Sequence, residues 1–182
     1  MNHFIAVNPY EMEGNPFQMI DKQWMLITAG NEKQANTMTA SWGGLGILWH
    51  KPVSFAFIRP TRYTYEFTER EEYYSLCFFG EEYRDALKLC GTVSGRDRDK
   101  IAECNLTLRY DEDAPYFDEA ETVMICRKIA AQDMDPAGFI DTSVEKHYHN
   151  DYHRIYTGEI TKVLKRTAKG LITNGKRTGK SV

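Results

Sequence analysis

Two long runs of β-branched and aromatic residues near the end of the sequence constrain the fold most. Residues 122–129 and 154–163 have the composition of strands, and each is longer than the roughly five or six residues of an average strand. The strand-like segments are residues 24–29, 53–58, 73–79, 121–131 and 153–164. Long antiparallel strands are typical of barrels, so the sequence predicts a mainly β protein built on a β-barrel.

Helical segments are fewer and lie between the strands. Residues 81–90 place apolar side chains on one helical face, carry two acids in the first turn, and stop at Gly91. We predict a second helix that begins at Ser94 as its N-cap residue, and a short one over residues 61–69, entered through Pro60. A doubly wound parallel sheet would need regular alternation of strands and helices, so an antiparallel barrel with helical additions fits better.

The chain of 182 residues suits a single domain, which we place at residues 1–165, followed by a basic tail at residues 166–182. The net charge is −3, but from Lys162 onward there are seven Lys or Arg and no acid, so residues 1–161 carry a charge of −10. A nucleic-acid-binding arm would interleave basic with aromatic residues, whereas residues 173–182 are Gly-rich and lack aromatics. We therefore interpret the tail as a solvated terminus and expect no nucleic-acid partner.

Other sequence features indicate the compartment. No apolar run approaches the roughly 18 residues that cross a bilayer, and residues 1–14 lack the pattern of a secretory signal, so we expect a cytoplasmic protein with no membrane partner. The cysteines are widely spaced, lie in apolar patterns, and form no C-x-x-C pair. We interpret them as reduced, buried thiols: Cys77, Cys90, Cys104 and Cys126.

The stretch NTMTASWGGLGILW, residues 36–49, is unusual because it combines small hydroxyl residues, two tryptophans and three glycines. The segment IRPTRYT, residues 58–64, follows it, and hydroxyls, backbone amides and two arginines at a helix start are what a phosphate dianion requires. The tryptophans and glycines would suit a slot for a flat aromatic ligand. The residues alone leave a second interpretation open, in which Trp42 and Trp49 belong to the core and the glycines form a turn.

Two further clusters have both a functional and a structural interpretation. CGTVSGRDRDK, residues 90–100, offers backbone amides and a cation to a ligand, or else Ser94 merely caps a helix and the charges face water. His147, His149 and His153 have the spacing of metal ligands, but they lie in a segment of loop composition, so we predict no metal. The sequence contains no G-x-S-x-G, P-loop or G-x-G-x-x-G motif that follows a strand.

Together these stretches resemble one family, the flavin reductase-like proteins with an FMN-binding split barrel, and especially the branch that includes flavoredoxin. The resemblance is carried by NTMTASWGGLGILWHKPVSFAFIRPTRYTYEF, CGTVSGRDRDK, MICRKIAAQDMDP and DYHRIYTGEI, in the order of the family and over most of residues 20–165. It implies a six-stranded antiparallel split barrel of Greek-key type with added helices. It also implies a homodimer with FMN near the subunit interface.

The resemblance also implies the cofactor-binding residues. One strand would hold the flavin ring and ribityl chain through its backbone and hydroxyls: Asn36, Thr37, Met38, Thr39, Ala40, Ser41 and Trp42. A turn would bind the phosphate through Arg59, Arg62, Tyr63 and Thr64. A loop with Ser94, Gly95 and Lys100 would lie close to the flavin.

The same resemblance implies that His153 contacts a nicotinamide substrate. Here the motif reads D-Y-H, with Tyr152 between the acid and the histidine, and His50 stands where relatives commonly have Asn. We expect Trp42 to border the flavin and Trp49 to be mainly structural.

The function that follows is an FMN-dependent oxidoreductase of the NAD(P)H:flavin reductase type, which passes a hydride to flavin and electrons on to a small-molecule or protein acceptor. No side chain need act as acid or base, and Lys100 or Arg62 near the pyrimidine edge would stabilise the reduced, anionic flavin. One alternative is a flavoredoxin-like electron carrier, which keeps FMN permanently, takes electrons from a protein donor and does not turn over NAD(P)H. Another is a non-catalytic flavin-binding or redox-sensing module.

Overall fold

A computed structural model of the protein describes residues 3–111 and 113–167. Ten strands follow one another within these described residues: β1 (Phe4–Val7), β2 (Met25–Gly30), β3 (Ala35–Ala40), β4 (Gly43–Leu48), β5 (Lys51–Ile58), β6 (Tyr73–Phe78), β7 (Leu108–Asp111), β8 (Ala114–Phe117), β9 (Thr122–Asp133) and β10 (Arg154–Arg166). Three α-helices lie between them: α1 (Tyr63–Arg70), α2 (Arg84–Thr92) and α3 (Lys100–Glu103). Short 3₁₀ segments cover Pro9–Glu11, Glu81–Tyr83, Pro136–Gly138 and Thr142–His147, and Gln18–Gln23 forms a π-helical turn.

The main sheet is organised by its longest strand, β10. The strands run in the order β3-β2-β6-β9-β10-β5-β4, and every pairing is antiparallel. The first half of β10 pairs with β5, its last four residues pair with β1, and its other edge pairs with β9 over nearly the whole length. A strand of 13 residues is therefore needed to join both halves of the barrel.

The sheet curls because its central strands bend. The register between β9 and β10 shifts at Thr157/Gly158 and again at Ile160/Lys162, and such irregularities increase the local twist. A Cβ atom on Gly158 would lie 2.4 Å from the Tyr74 hydroxyl oxygen, so only glycine fits this bend. The end strands β3 and β4 are joined by Ser41 and Trp42 alone, which brings the two edges within roughly 11 Å of each other.

Alternate residues of the same strands pack into two different hydrophobic cores. On β2, Ile27 packs in one core with Met124 and Tyr156, whereas Leu26 packs in the other, which also contains Leu87 of α2 and Phe117 of β8. This alternation is expected of a sheet that is covered on both faces. The first core fills the barrel, and the second holds α2 and the β7–β8 hairpin against its outside.

The predicted mainly β, antiparallel barrel fold is confirmed. The main sheet contains eight strands rather than the six that the resemblance implies, because β1 and β4 add to it. The five predicted strands are present as β2, β5, β6, β9 and β10. β4 was not predicted, since glycines occupy three of its six positions.

The predicted helices are present, with one correction at a helix start. The segment 81–90 forms a 3₁₀ turn followed by α2, and the short helix after Pro60 is α1. Ser94 is not the N-cap of the next helix: its hydroxyl accepts the Arg96 N–H within a turn, and α3 begins later, where the Asp99 carboxylate accepts the Ala102 N–H. An Asx cap next to the helix satisfies its first free amides, which Ser94 is too distant to reach.

All four predicted thiols are free, and the predicted burial is confirmed for three of them. Cys77, Cys90 and Cys126 are buried and Cys104 is half-buried. Burial raises the pKa of Cys77 to about 11 and the pKa of Cys90 and of Cys126 to about 12, so these thiols stay protonated.

The end of the chain is described only up to Thr167. Lys162, Lys165 and Arg166 belong to β10, and the rest of the predicted basic tail lies outside the described residues. The boundary at residue 165 stays a prediction. Within residues 3–111 and 113–167 we find no helix with the length and apolar character needed to cross a membrane.

Candidate functional site

A cavity of about 340 Å³ lies beside the corner where β3 turns into β4. It is bounded by the end of β3, the turn after β5, the C-terminal end of α2 and the residues that precede β10. Its lining residues are Met38, Thr39, Ala40, Ser41, Trp42, Phe57, Arg59, Thr61, Arg62, Gly91, Asp151 and His153. We name it the Trp42 cavity, and its size falls within the range of small-molecule sites, roughly 300 to 1,000 Å³.

The β3 wall offers backbone rather than hydroxyl groups. The Thr37 hydroxyl is fully buried, 2.9 Å from the Thr28 hydroxyl and 3.2 Å from the Ile27 carbonyl oxygen, and the Thr39 hydroxyl donates to the Leu87 carbonyl. β3 is an end strand, so half of its N–H and C=O groups point away from β2. The hydroxyls of Thr37 and Thr39 therefore stabilise the strand, and the free edge is its polar surface toward a ligand.

The two arginines of the turn after β5 have different surroundings. Arg59 pairs with Asp151 at 2.6 Å, donates to the His147 carbonyl oxygen at 2.7 Å and stacks its guanidinium over the Tyr148 ring. Among the described residues, the Arg62 guanidinium makes one hydrogen bond, a long one of 3.4 Å to the Cys90 carbonyl oxygen. Burial and repulsion from Arg59 lower the pKa of Arg62, which indicates a guanidinium without a carboxylate partner in the described part of the chain.

An aromatic wall with His153 at its centre closes the opposite side. The His153 ring lies 5.4 Å from the Trp42 ring and 6.0 Å from the Phe57 ring, and its Nδ1 is 3.1 Å from the Tyr148 hydroxyl. Burial, with a smaller effect of the Arg59 charge, lowers the pKa of His153 to about 4, against an opposing effect of Asp151. The imidazole is therefore neutral at ordinary pH.

The three histidines of the segment before β10 are separated in the structure. The His147 ring packs edge-on against Trp42 at 5.6 Å, His149 is exposed, and His153 lies inside the Trp42 cavity. Within residues 3–111 and 113–167, no three or more His, Cys, Asp or Glu side chains are grouped so that they could hold a metal ion.

A second cavity, of about 630 Å³, lies on the other side of the α2 C-terminus, and Asn36, Tyr63, Gly95 and Lys100 line it. The Lys100 ammonium is buried and donates to the Cys90 and Val93 carbonyl oxygens at 3.1 and 3.2 Å. It thus satisfies carbonyls at the end of α2, and burial lowers its pKa.

Two side chains join β3 to α1 beneath this second cavity. The Asn36 amide donates to the buried Thr64 hydroxyl at 2.7 Å, and a Cβ atom on Gly95 would lie 2.0 Å from the Asn36 side-chain oxygen. Gly95 is therefore required for close packing. The half-buried Ser94 lies beside it in the turn that precedes α3.

The structure thus divides the sequence-predicted residues into three groups. The first group lines the Trp42 cavity and contains Met38 to Trp42, Arg59, Arg62 and His153. The second group lines the second cavity and contains Asn36, Tyr63, Gly95 and Lys100. The third group lines neither cavity: Thr37 and Thr64 are buried between elements, and Ser94 is half-buried in the turn before α3. The sequence analysis did not select four lining residues of the Trp42 cavity, although all four lie inside the stretches that carry the family resemblance: Phe57, Thr61, Gly91 and Asp151.

The two tryptophans differ in position. Trp42 is 43% exposed and lines the cavity, whereas Trp49 is 61% exposed and forms, with His50, a two-residue turn with positive φ between β4 and β5. The interpretation that both belong to the core is wrong, and so is the glycine turn, because Gly43, Gly44 and Gly46 lie within β4.

Comparison with known proteins agrees with this architecture. An FMN-binding domain of a flavin reductases-like enzyme from Shewanella baltica OS155 has a TM-score of 0.67 at 16% identity, over 93% of this chain and 82% of that one. Flavoredoxin from Methanosarcina acetivorans gives 0.63 at 20% identity, over 81% and 72%. An NADH:FAD oxidoreductase from Streptomyces globisporus C-1027 gives 0.59 at 12% identity, over 79% and 75%.

At these identities the structural likeness shows the fold, and a sequence-family match goes further. No curated protein sequence matches the chain. The model of the family described as "Flavin reductase like domain" matches residues 18–178, which include every element from β2 to β10 and the whole Trp42 cavity. The chain therefore belongs to the flavin reductase-like domain family.

Proposed function

We propose that the protein is an FMN-dependent oxidoreductase that passes a hydride from NAD(P)H to flavin and electrons on to an acceptor. The Trp42 cavity carries this proposal, because it combines a free strand edge, aromatic faces and an arginine without a carboxylate partner among the described residues. Hydride transfer itself is chemistry that the cofactor supplies, since a flavin ring accepts a hydride from a reduced nicotinamide and passes the electrons on.

The donor groups of the cavity fit FMN in two respects. The free edge of β3 at residues 38–40 offers N–H donors and C=O acceptors, which complement the polar edge of a flavin ring. Trp42 and Phe57 provide aromatic surface on the same cavity. These residues would hold and orient the ring and keep water from it.

The anionic end of FMN is best matched by Arg62 and Thr61. Arg62 follows Thr61 in the turn after β5. Its guanidinium keeps N–H donors free for a phosphate because its one hydrogen bond in the described part of the chain, to the Cys90 carbonyl oxygen, is long. Arg59, in contrast, already pairs with Asp151. We assign phosphate binding to Arg62 and Thr61, and to Arg59 the task of holding the segment that carries His153.

We propose that the remaining sequence-predicted residues support the flavin site from outside the Trp42 cavity: Asn36, Tyr63, Thr64, Ser94, Gly95 and Lys100. Lys100 and Arg62 both donate to the Cys90 carbonyl, so Lys100 places a second positive charge behind the cavity. This charge would stabilise a bound ligand that becomes anionic on reduction.

The test is anaerobic mixing of the FMN-loaded protein with NADH and, separately, NADPH. Bleaching of the visible flavin band that is faster than for free FMN is the expected result, and the faster nucleotide identifies the preferred donor. Failure of both nucleotides to bleach bound FMN would contradict the reductase proposal. A protein that binds no flavin at all would contradict the cofactor assignment as well.

The likeness to flavoredoxin favours one second candidate, an electron carrier that keeps FMN permanently and receives electrons from a protein donor. In the same experiment a carrier would remain yellow with both nucleotides and bleach with dithionite. A flavin that no reductant bleaches reversibly would instead indicate a non-catalytic flavin-binding module.

We further propose that the active form is a homodimer that contacts through the β4 edge. β4 is an end strand, and beside it lies an apolar groove formed by Phe17, Ile20, Trp42, Gly44 and Leu45. Large apolar side chains remain exposed on this face, with Phe17 84% and Ile47 60% accessible. An unpaired edge with such residues is an interaction surface, and a two-fold contact would apply the same patch twice.

A further inference from the structure

Beside the Trp42 cavity, a tyrosine hydroxyl that does not line it lies between two partners. The Tyr148 hydroxyl oxygen is 3.1 Å from Nδ1 of His153 and 3.2 Å from the thioether sulfur of Met134. The Tyr148 ring packs among Phe139, Tyr152 and His153, so its position is constrained from several sides. Burial raises the pKa of Tyr148, which keeps the hydroxyl protonated.

This geometry links the single hydroxyl proton to the tautomer of His153. If the proton points to Met134, Nδ1 must carry its own proton to donate to the tyrosine oxygen, and Nε2 is left bare. If the proton points to Nδ1, the neutral imidazole carries its proton on Nε2 instead. A phenol hydroxyl is a stronger donor than a neutral imidazole N–H, and an imidazole nitrogen is a stronger acceptor than a phenol oxygen or a thioether sulfur. The strong O–H···Nδ1 bond of the second arrangement therefore outweighs the two weaker bonds of the first.

The other ring nitrogen, Nε2, is the atom of His153 that remains available to a ligand. In the described part of the chain Nε2 has no hydrogen-bond partner, and it is not among the fully buried polar atoms without one. It therefore keeps solvent access at the end of a side chain that lines the Trp42 cavity. His153 contacts Trp42 and Phe57, which limits rotation of the ring.

We propose that Tyr148 is a positioning residue that holds His153 as the Nε2–H tautomer, so that His153 presents an N–H donor to an amide carbonyl oxygen of the bound ligand. The proposal rests on the proposed function for the identity of that ligand. Both the pyrimidine ring of a flavin and the carboxamide of a nicotinamide contain such an oxygen, and the experiment distinguishes them. The tautomer itself is independent of any bound ligand.

The first arm of the test is nitrogen NMR on protein with ¹⁵N-labelled histidine, with His153 assigned by loss of its signals in His153→Gln. We expect the wild type to show Nε2 protonated and Nδ1 hydrogen-bonded. Tyr148→Phe keeps the ring but removes the hydroxyl. The ¹⁵N chemical shift of Nδ1 should therefore move to that of an acceptor nitrogen without a hydrogen bond. Met134→Leu removes the sulfur, and the His153 signals should stay unchanged because the proton already lies toward Nδ1.

A matched control is Tyr152→Phe, which removes a neighbouring hydroxyl that has no hydrogen bond in the described part of the chain. It should leave the His153 signals where they are. A wild-type spectrum with Nδ1 protonated, a tautomer change in Met134→Leu, or an unmoved Nδ1 signal in Tyr148→Phe would each overturn the proposal.

The second arm identifies the ligand atom. Loss of one oriented neutral hydrogen bond corresponds to roughly a two- to tenfold effect. An increase of this size in the KM for NAD(P)H of Tyr148→Phe, with kcat and the Kd for FMN nearly constant, indicates the nicotinamide carboxamide. The same increase in the Kd for FMN indicates a flavin carbonyl, and a change in neither overturns the ligand contact.

The two proposals fail separately. If the protein does not oxidise NAD(P)H, the proposed function fails, while the nitrogen shifts still decide the tautomer. If NAD(P)H is oxidised but the shifts contradict the Nε2–H form, only the role of Tyr148 is lost.

Discussion

At the scale of single residues, the two arginines of the RPTRYT turn show what the sequence leaves undetermined. Both arginines have the same chemistry, and both were predicted to bind phosphate. The structure pairs Arg59 with Asp151, which lies 92 positions further along the chain, and leaves Arg62 with one long bond. A motif gives the residue types that can hold an anion, whereas the competing partner comes from a distant segment that only the fold brings near.

This difference predicts unequal effects of two substitutions. Arg62→Gln removes the free guanidinium, and loss of a charge-assisted hydrogen bond corresponds to about 1.5–3 kcal/mol, or a rise in the Kd for FMN of roughly 10- to 150-fold. The Kd is measured by titration of flavin fluorescence. Arg109→Gln is the matched control, because this half-exposed arginine of β7 pairs with Asp118, the residue after β8, and lines neither cavity.

The salt dependence of the same titration shows whether Arg62 contributes to FMN affinity through its charge or only through the shape of its side chain. Wild-type affinity should weaken as ionic strength rises, and Arg62→Gln should flatten this dependence. An Arg62→Gln protein with wild-type affinity for FMN would show that the phosphate lies elsewhere.

At the scale of secondary-structure elements, the long strands could be predicted and β4 could not. β9 and β10 could be predicted from composition because much of each strand is buried, and buried strand positions are occupied by apolar, β-branched and aromatic residues. β4 contains three glycines and becomes a strand through its pairing with β5, across a Trp49-His50 turn that lacks the usual Asn-Gly signal. Tertiary pairing, rather than local propensity, determines such a strand.

The junction between β3, α1 and the loop before α3 yields an element-scale prediction. Gly95→Ala would place a methyl group 2.0 Å from the Asn36 side-chain oxygen, whose amide holds the Thr64 hydroxyl of α1. Relief of this overlap must move the loop or break that hydrogen bond, so we expect a loss of about 1–3 kcal/mol in the free energy of unfolding. Urea unfolding monitored by circular dichroism measures it.

Gly138→Ala is the control for this substitution. A Cβ atom on Gly138 would meet no heavy atom within 4 Å, and its backbone φ is negative. The control should unfold at the wild-type midpoint. Equal midpoints for all three proteins would refute the close packing of Gly95 on Asn36.

At the scale of the whole molecule, the sheet order explains why the candidate site lies at a corner of the barrel. The end strands β3 and β4 are connected through Ser41 and Trp42, so Trp42 lines the cavity on one side and the apolar groove on the other. The sequence predicted an antiparallel barrel and the residues near this corner. It did not show that one tryptophan belongs to both surfaces, because that depends on where the sheet remains open.

If the protein dimerises through the β4 edge and binds FMN as proposed, this shared position would make assembly and flavin binding interdependent, and Ile47→Lys tests the link. Ile47 lies on the β4 edge and is 60% exposed, so a lysine there adds a charge to the proposed contact without disturbing a buried side chain. We expect the wild type to sediment as a dimer and Ile47→Lys to sediment as a monomer. Because the groove that includes Trp42 is then uncovered, the monomer should also bind FMN more weakly, by about tenfold if one aromatic contact of roughly 1.4 kcal/mol is lost.

The control is Ile140→Lys, which adds the same charge at a fully exposed isoleucine that lines neither the groove nor the Trp42 cavity. It should remain a dimer with wild-type affinity for FMN. A monomeric wild type would contradict the proposed homodimer, and an Ile47→Lys protein that stays dimeric would place the contact on another face. A monomeric Ile47→Lys protein with unchanged FMN affinity would show that the dimer contact lies on β4 but does not affect flavin binding. Trp42 would then orient the ligand without help from a second subunit.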